Sequence, residues 1–408
     1  MHKFKQLGPG LLFAAAAIGV SHLVQSTRAG ADYGWGLLWA LLMAHLLKYP
    51  FFEYTTRYTS TTGKSALQGY FDLHPSWLKA YTLLSLGTMF TIQTAVTVVT
   101  AGIAEFLFGP VWGDHFWVIA IGLLCLLIIQ LGKYSFLDLF IKGIMIVLAF
   151  STTIAFLQAL WKPAAPLDLD PVFPSGAGLL FLIAFMGWLP APLEVSIWQS
   201  LWWIDKSQLQ QPEQLRKHTA FDFRLGYWAT LVMGLFFLGL GALIMHPEGK
   251  SFATSGVVFA SQLVGIYESQ FGSGAKIIIG FAAFTAMFST TLTTLDASPK
   301  TMAASLKILF PKANSLWVQK SFWLLVLSLG TFAIFFLLTS QMGTLITLAT
   351  VISFFTSPFL AYLNYRLVYQ PDFPESARPS KGMKILSLLG FVFLIGFCGL
   401  YLWSLIYS

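Results

Sequence analysis

Polar residues interrupt the first long apolar segment of the chain, which runs from Gly8 to Leu38. The interruption begins at Gly19-Val20-Ser21-His22 and continues with Gln25, Ser26, Thr27 and Arg28. Hydroxyl, imidazole, amide and guanidinium groups bind small ions and polar solutes through hydrogen bonds. Within lipid such groups are expensive unless they face a binding site or a water-filled cavity. We therefore predict that Gly19, Val20, Ser21, His22, Gln25 and Ser26 line a substrate site.

A second interruption lies near the middle of the chain, between Gly187 and Glu194. Pro190 and Pro192 remove backbone donors, and each disfavours helix for the residue before it. The predicted site is therefore extended by Met186, Trp188, Leu189, Pro190 and Ala191. Met186 and Trp188 lie one turn before Pro190. For these two residues, the alternative to a site role is that they only pack against other side chains.

The composition is that of an integral membrane protein. Hydrophobic residues make up 56% of the chain and charged residues only 10%, and apolar runs of membrane-spanning length recur throughout. The two cysteines, Cys125 and Cys398, lie inside apolar runs and imply no disulfide framework. We predict one transmembrane domain over residues 1–408 with eleven spans, at 8–31, 34–56, 80–107, 115–133, 138–161, 177–203, 224–246, 274–294, 317–339, 343–366 and 385–406.

Basic residues indicate how these spans are oriented. The first span is too polar for a cleaved signal peptide and is expected to stay in the protein. Of the 24 lysines and arginines, Lys48 lies inside a span. Only Arg28, Lys162, Lys250 and Lys276 fall on the side opposite the N-terminus, and all the others fall on the side of the N-terminus. The positive-inside rule then predicts a cytoplasmic N-terminus and an external C-terminus, in a bacterial inner membrane. The same bias explains the net charge of +7 without nucleic acid.

The two interruptions lie five spans apart. Broken helices at corresponding positions of two halves are typical of inverted-repeat transporters, whose substrate site lies near the middle of the membrane. Two kinked structural helices are the alternative, because proline alone produces kinks.

Several short motifs resemble those of the Nramp family of metal-ion transporters. In the first span these are Gly8-Pro9-Gly10, Gln25, Ala29-Gly30-Ala31 and Tyr33-Gly34, followed by Leu38-Trp39-Ala40-Leu41-Leu42 and Thr62-Gly63-Lys64. The resemblance implies an all-α, LeuT-type fold in which spans 1 and 6 are broken. It also implies inverted repeats over about 8–161 and 177–366, with an added helix over about 385–406.

The chain departs from that family at the metal-binding positions. The family's Asp-Pro-Gly-Asn motif falls on Gly19, Val20, Ser21 and His22, so its carboxylate and amide ligands are absent. If Pro190 anchors the alignment, the Met-Pro-His motif falls on Leu189, Pro190 and Ala191. If Gln199-Ser200 anchors it instead, Glu194 falls on a second family histidine, and both registers stay open. The family's proton-handling acids fall on Gln93 and Val96.

These departures favour a secondary active transporter of a small anion, with bicarbonate as an example. Ser21, Ser26, His22 and Arg28 would hold the anion beside half-helix N-termini. The alternative is a divalent metal transporter for manganese, magnesium or iron that uses His22 and Glu194. A channel or a non-transporting sensor on the same fold stays open. An enzyme is not expected, since the spans offer no nucleophile with an evident base. The oligomeric state is left open, and no cofactor is expected beyond a coupling ion.

Four further residue roles are expected. Glu194 would bind a coupling sodium ion, carry a coupling proton or cap a helix, and Gln93 is the second candidate for the coupling path. His22 would contact the substrate or bond freed backbone carbonyls. Lys48, with His45 and Glu53 nearby, would snorkel towards the cytoplasm or pair internally. Asp296 would pair with Lys300.

The predicted orientation is testable with reporter fusions. Alkaline phosphatase fused after the last residue should be active, because it folds only outside the cytoplasm, whereas a green fluorescent protein fusion at the same position should be dark. The matched control is fusion after Arg378, in a predicted cytoplasmic loop, which should reverse both signals. Fluorescence from the C-terminal fusion would contradict the predicted orientation.

Overall fold

Helices account for every regular element within residues 8–112, 115–131, 134–163, 166–209, 212–253, 255–338 and 341–407, which this computed structural model describes. The first half contains α1 (Pro9–Ala17), α2 (Thr27–Tyr33), α3 (Leu38–Thr62), α4 (Ala66–Leu73), α5 (Pro75–Phe108), α6 (Phe116–Leu131) and α7 (Tyr134–Trp161). The second half contains α8 (Ala177–Trp188), α9 (Glu194–Leu209), α10 (Pro212–Leu240), α11 (Gly256–Phe271), α12 (Ala275–Leu309), α13 (Lys320–Ala333), α14 (Met342–Tyr369) and α15 (Lys381–Tyr407).

Each predicted span coincides with a helix or with a pair of half-helices. Among the described residues, six helices are long and apolar enough to cross a membrane, and three shorter apolar helices accompany them. Residues 1–7 and 408, on which the predicted sides of the two termini rest, lie outside the described part of the chain. The predicted span ends at 132–133 and 339 lie outside it as well.

Several boundary expectations were wrong, and one of them is the start of α10, which lies at Pro212 rather than near residue 224. Helix α12 continues to Leu309, well beyond residue 294, because its C-terminal extension carries polar residues such as Lys307 that water can solvate. Helices α4 and α11 lie in stretches expected to be loops. Helix α4 is stabilised by Ser65, whose side chain accepts a hydrogen bond from the Gln68 N–H at 3.2 Å, and by burial of Leu67 and Tyr70.

The structure confirms that the first and sixth spans are broken. A π-helical segment, Val20–Ser26, separates α1 from α2, and it starts after Gly19, whose backbone is not helical. Between α8 and α9, Leu189 adopts an extended conformation directly before Pro190. Proline disfavours helix for the residue before it and removes a backbone donor, which explains why the second break falls there.

Glycines bring the first span into backbone contact with α10. A Cβ atom on Gly10 would lie 2.0 Å from the Asp222 carbonyl oxygen, and one on Gly226 would lie 2.0 Å from the Gly10 carbonyl oxygen. At the other end, a Cβ on Gly30 would lie 1.9 Å from the Leu238 carbonyl oxygen. Such distances exclude any side chain, and small residues are the usual means of close helix packing in lipid.

The ion pairs at the helix ends are not the expected ones. The predicted pairing of Asp296 with Lys300 is wrong. Lys300 contacts Asp205 of α9, and Asp296 contacts Lys320 at the start of α13. Both pairs join different helices. Glu53 likewise accepts hydrogen bonds from Arg57 one turn later, at 2.6–3.0 Å, and so is not a partner of Lys48.

The glycine contacts predict a position-specific effect of adding one methyl group. Gly226→Ala should destabilise the folded protein by about 1–3 kcal/mol, because its Cβ overlaps the α1 backbone. The thermal unfolding midpoint in detergent measures the effect. Gly396→Ala in α15 is the matched control, since a Cβ there meets nothing within 4 Å. Equal midpoints for the two variants would contradict the close contact.

Candidate functional site between the helix breaks

The two breaks face each other across a small cavity of about 30 Å³. Val20 and Ser21 line it from the first break, and Trp188 and Ala191 line it from the second. Its other wall includes Val96 of α5 and, from α12, Thr290 and Thr294. This volume is enough for about one or two water molecules. The structure thus brings the two predicted parts of the site together.

Ser21 connects the breaks directly. Its hydroxyl oxygen lies 2.5 Å from the Ala17 carbonyl oxygen and 3.4 Å from the Pro190 carbonyl oxygen. It also lies 2.7 Å from His22 Nδ1. Gly19, just before it, packs against Thr290, whose hydroxyl oxygen would lie 2.6 Å from any Cβ at this position. A side chain at this position would therefore force the Thr290 side chain to move.

Lys48 of α3 reaches into the second break. Its side chain is fully buried, and Nζ lies within hydrogen-bonding distance of four carbonyl oxygens, which share its three N–H groups: those of Met186 at 3.2 Å, Gly187 at 2.9 Å, Leu189 at 2.6 Å and Ala191 at 3.3 Å. The expected snorkelling is therefore wrong, and the internal partners are backbone oxygens. An ammonium group has three donors and no acceptor, so a shell made only of carbonyl oxygens suits it.

The His22 ring turns away from the cavity towards α10. Nδ1 lies 2.8 Å from the Ala17 carbonyl oxygen, and Nε2 lies 3.0 Å from the Thr230 carbonyl oxygen. Both ring nitrogens thus face backbone oxygens, as in the alternative in which His22 bonds freed carbonyls. The His45 ring packs edge-on against it with centroids 6.2 Å apart. His45 lies one turn before Lys48, and all three basic side chains are fully buried.

Glu194 begins α9, is 4% exposed and accepts a hydrogen bond from the Thr88 hydroxyl of α5. His22 and Glu194 therefore have partners on different helices. Within the described part of the chain, no three histidine, cysteine, aspartate or glutamate side chains form a group suited to a metal ion. The acidic residue in the first turn of α9 also offsets the positive end of that helix.

A family model described as "Natural resistance-associated macrophage protein-like" (Nramp) matches residues 10–404, nearly the whole chain. The chain belongs to the Nramp family. Members of this family are transporters rather than enzymes, so this Nramp chain is an integral membrane protein of the transporter class.

Individual relatives of this Nramp chain range from moderately to distantly similar. A protein of Pasteurella multocida, described as uncharacterized protein PM0681, is 35% identical, with 98% of this chain and 92% of the relative covered. The divalent metal cation transporter MntH of Chromohalobacter salexigens is 22% identical, with 60% of this chain and 58% of the relative covered.

Solved structures establish the fold of this Nramp chain. A manganese transporter of Eremococcus coleocola matches with a TM-score of 0.69 at 15% identity, covering 97% of this chain and 87% of that one. MhsT in complex with L-phenylalanine matches with a TM-score of 0.60 at 14% identity, covering 95% and 97%. These matches confirm the predicted LeuT-type fold.

Apart from Arg28, the remaining predicted site residues lie at or near the breaks, although Gln25, Ser26 and Met186 do not line the cavity. Gln25 and Ser26 are buried in the π-helical segment, and the Ser26 hydroxyl donates to the Ser21 carbonyl at 3.1 Å. The Trp188 indole donates to the Ser353 hydroxyl of α14 at 3.0 Å. Met186 is buried. Arg28 lies away from this cavity, pairs with Asp32 at 3.1 Å and stacks on Phe181.

Gln93 joins the two helices that form the cavity's far wall. Its Nε2 donates to the Thr97 hydroxyl at 3.2 Å and to the Thr291 carbonyl of α12 at 3.3 Å. Its Oε1 accepts from the Thr294 hydroxyl at 2.6 Å. The amide therefore takes part in hydrogen bonds where the family has an acid.

Sequence reasoning missed two kinds of contributor. The first is Lys48 as a partner of the second break, for which a lone lysine deep in an apolar span was an available signal. The second is the set of threonines on α5 and α12, namely Thr88, Thr290 and Thr294. Threonine is common in membrane helices and bonds its own helix, so no sequence signal separates these positions from the other threonines.

Removing the Thr88 hydroxyl should expose the cost of burying Glu194. Thr88→Val should destabilise the protein by about 1–3 kcal/mol, because the carboxylate loses its donor. In a Glu194→Gln background the same substitution should cost less, and thermal unfolding midpoints of the four proteins give the coupling energy. Thr91→Val is the matched control, since its hydroxyl bonds the Thr88 carbonyl of its own helix. Additive effects of Thr88→Val and Glu194→Gln would contradict the interaction.

Proposed function

We propose that this Nramp-family chain is an alternating-access carrier whose divalent-metal site is remodelled and whose substrate is a small anion, with bicarbonate as an example. The observation that carries the proposal is the Lys48 ammonium group at the second break. It is fully buried, and it lies within hydrogen-bonding distance of four carbonyl oxygens that a bound cation would need.

The lysine charge also disfavours a divalent cation. Lys48 is fully buried at the second break, and the Glu194 carboxyl group there is already bonded to the Thr88 hydroxyl. A divalent cation prefers several oxygen ligands that include carboxylates, and a nearby ammonium group repels it. An anion would instead be attracted by the same ammonium charge.

Three hydroxyl groups would serve an oxyanion as donors once they release their present acceptors, which are the Ala17 and Ala286 carbonyl oxygens and Gln93 Oε1. Ser21, Thr290 and Thr294 line the cavity, with apolar walls from Val20 and Ile92. The cavity of about 30 Å³ is too small for an oxyanion in this conformation. The helices around it would have to separate for binding, as alternating access requires. Glu194 is our candidate for a coupling sodium or proton site, with Gln93 beside the path.

Divalent-metal transport is the second candidate, because the chain belongs to the Nramp family and MntH, a distant relative, is described as a divalent metal cation transporter. For this activity the Lys48 side chain would have to leave the second break, so that its carbonyl oxygens and Glu194 could bind the metal. The two candidates therefore differ in the direction in which Lys48 affects transport.

Flux into proteoliposomes separates the candidates. We expect purified protein to raise internal pH when external bicarbonate is added, saturably and above the carbon dioxide leak of protein-free vesicles. Manganese, magnesium and calcium, followed with entrapped fluorophores, should not enter. Each solute is tested with and without a sodium gradient. Saturable metal flux without bicarbonate flux would replace the anion proposal with the metal candidate, and no flux of any solute would contradict both.

Substitution of the cavity hydroxyls tests where the anion binds. Ser21→Ala and Thr290→Val should each raise the KM for bicarbonate by about fivefold, as expected when one hydrogen bond worth about 1 kcal/mol is lost. Thr301→Val is the matched control on α12, because its buried hydroxyl bonds the Ala297 carbonyl outside the cavity. An unchanged KM in both cavity variants would place the anion elsewhere.

A further inference from the structure

The oxygen atoms around Lys48 come from two different parts of the second break. Met186 and Gly187 belong to the last turn of α8, where carbonyl groups lack helical partners. Leu189 and Ala191 lie beyond the helix, in the non-helical segment before α9. A group that only capped α8 would need the first pair alone. The Nζ atom instead holds both parts of the break around one point.

Such a ring of carbonyl oxygens resembles the coordination shell of a cation. Carbonyl oxygens replace the hydration shell of monovalent cations in selectivity filters. The four Nζ–O distances run from 2.6 to 3.3 Å. Magnesium requires oxygen ligands at about 2.0–2.1 Å and calcium at about 2.3–2.6 Å. The shell is therefore too wide for these divalent ions and fits a large monovalent cation or an ammonium group.

No carboxylate belongs to this shell. Within the described residues, all four hydrogen-bond acceptors of Nζ are backbone oxygens, and the carboxylate of Glu194 is bonded to Thr88. The lysine charge is thus held by dipoles alone, as a free monovalent ion would be. Pro50 follows two residues later in α3 and His45 precedes by one turn, so the lysine stem starts from a fixed, buried helix.

We infer that Lys48 is a tethered cation that occupies a monovalent-cation site at the second break. The inference rests on the proposed remodelling of the metal site, and it does not depend on which solute is carried. The ammonium group takes the place of a free ion in holding the break together, and it excludes a metal ion from these carbonyl oxygens. Without the side chain, the break retains a latent site for potassium, ammonium or methylammonium.

Chemical rescue of a truncated side chain tests the inference. In Lys48→Ala the four carbonyl oxygens lose their donor, so the thermal unfolding midpoint in choline chloride should fall by several degrees. Potassium, ammonium or methylammonium chloride should raise it again, saturably, because a ligand that binds only the folded state stabilises it. Choline is too large for the site and serves as the ionic-strength control. Wild type should not respond to the choice of cation.

Two further variants complete the test. Lys300→Ala is the matched control, since Lys300 contacts Asp205 at the surface and its loss should create no response to small cations. Lys48→Ser also leaves room for a cation and keeps a hydroxyl at the position. It replaces Lys48→Ala if that variant is not recovered in choline, and recovery of either variant only in a small cation supports the inference.

The outcomes are separable from those of the flux assay. A Lys48→Ala midpoint equal to wild type, a lowered midpoint that no small cation raises, or failure to recover both variants in any cation would overturn the inference. Absence of bicarbonate flux in wild type would overturn the proposed anion substrate and leave the cation response of Lys48→Ala as an independent result.

Discussion

A helix that stops inside a membrane must find partners for its last carbonyl groups, and in this protein the Lys48 ammonium group provides them. Unpaired backbone oxygens in an apolar interior cost several kcal/mol each, so a broken helix is stable only if something satisfies its ends. At the second break, the three N–H groups of one buried ammonium group serve four oxygens. The first break is supported differently, through Ser21, His22 and the backbone of α10.

Local sequence features were enough to predict the two broken spans, the number of spans and the family. Proline and glycine act on their own neighbours, and apolar length follows from membrane thickness, so these signals need no tertiary information. The meeting of the two breaks at one cavity followed from the expected symmetry of the two halves. The direction of the His22 ring could not be predicted in this way. It depends on the distance between α1 and α10, and this distance is set by Gly10 and Gly226.

Long-range partners explain the other differences. Lys48 and Met186 are 138 residues apart, and no local pattern connects them. The same applies to Thr88 and Glu194, 106 residues apart. Asp296 and Lys300 have favourable helical spacing, yet each contacts another helix, since the packing of α9, α12 and α13 offers closer partners. Family membership fixed the architecture, whereas the proposed chemistry of the site depends on residues that differ from the family motif.

The glycine contacts between the first span and α10 have a mechanical consequence. Backbones that touch at Gly10 and Gly226, and again at Gly30 and Leu238, cannot slide past each other without separating along their length. Both half-helices of the first span are therefore held against α10 at backbone distance. The cavity is lined by α5 and α12 as well as by the two breaks. A movement of α5 and α12 away from the breaks leaves the glycine contacts intact, whereas a movement of either half-helix along α10 breaks them.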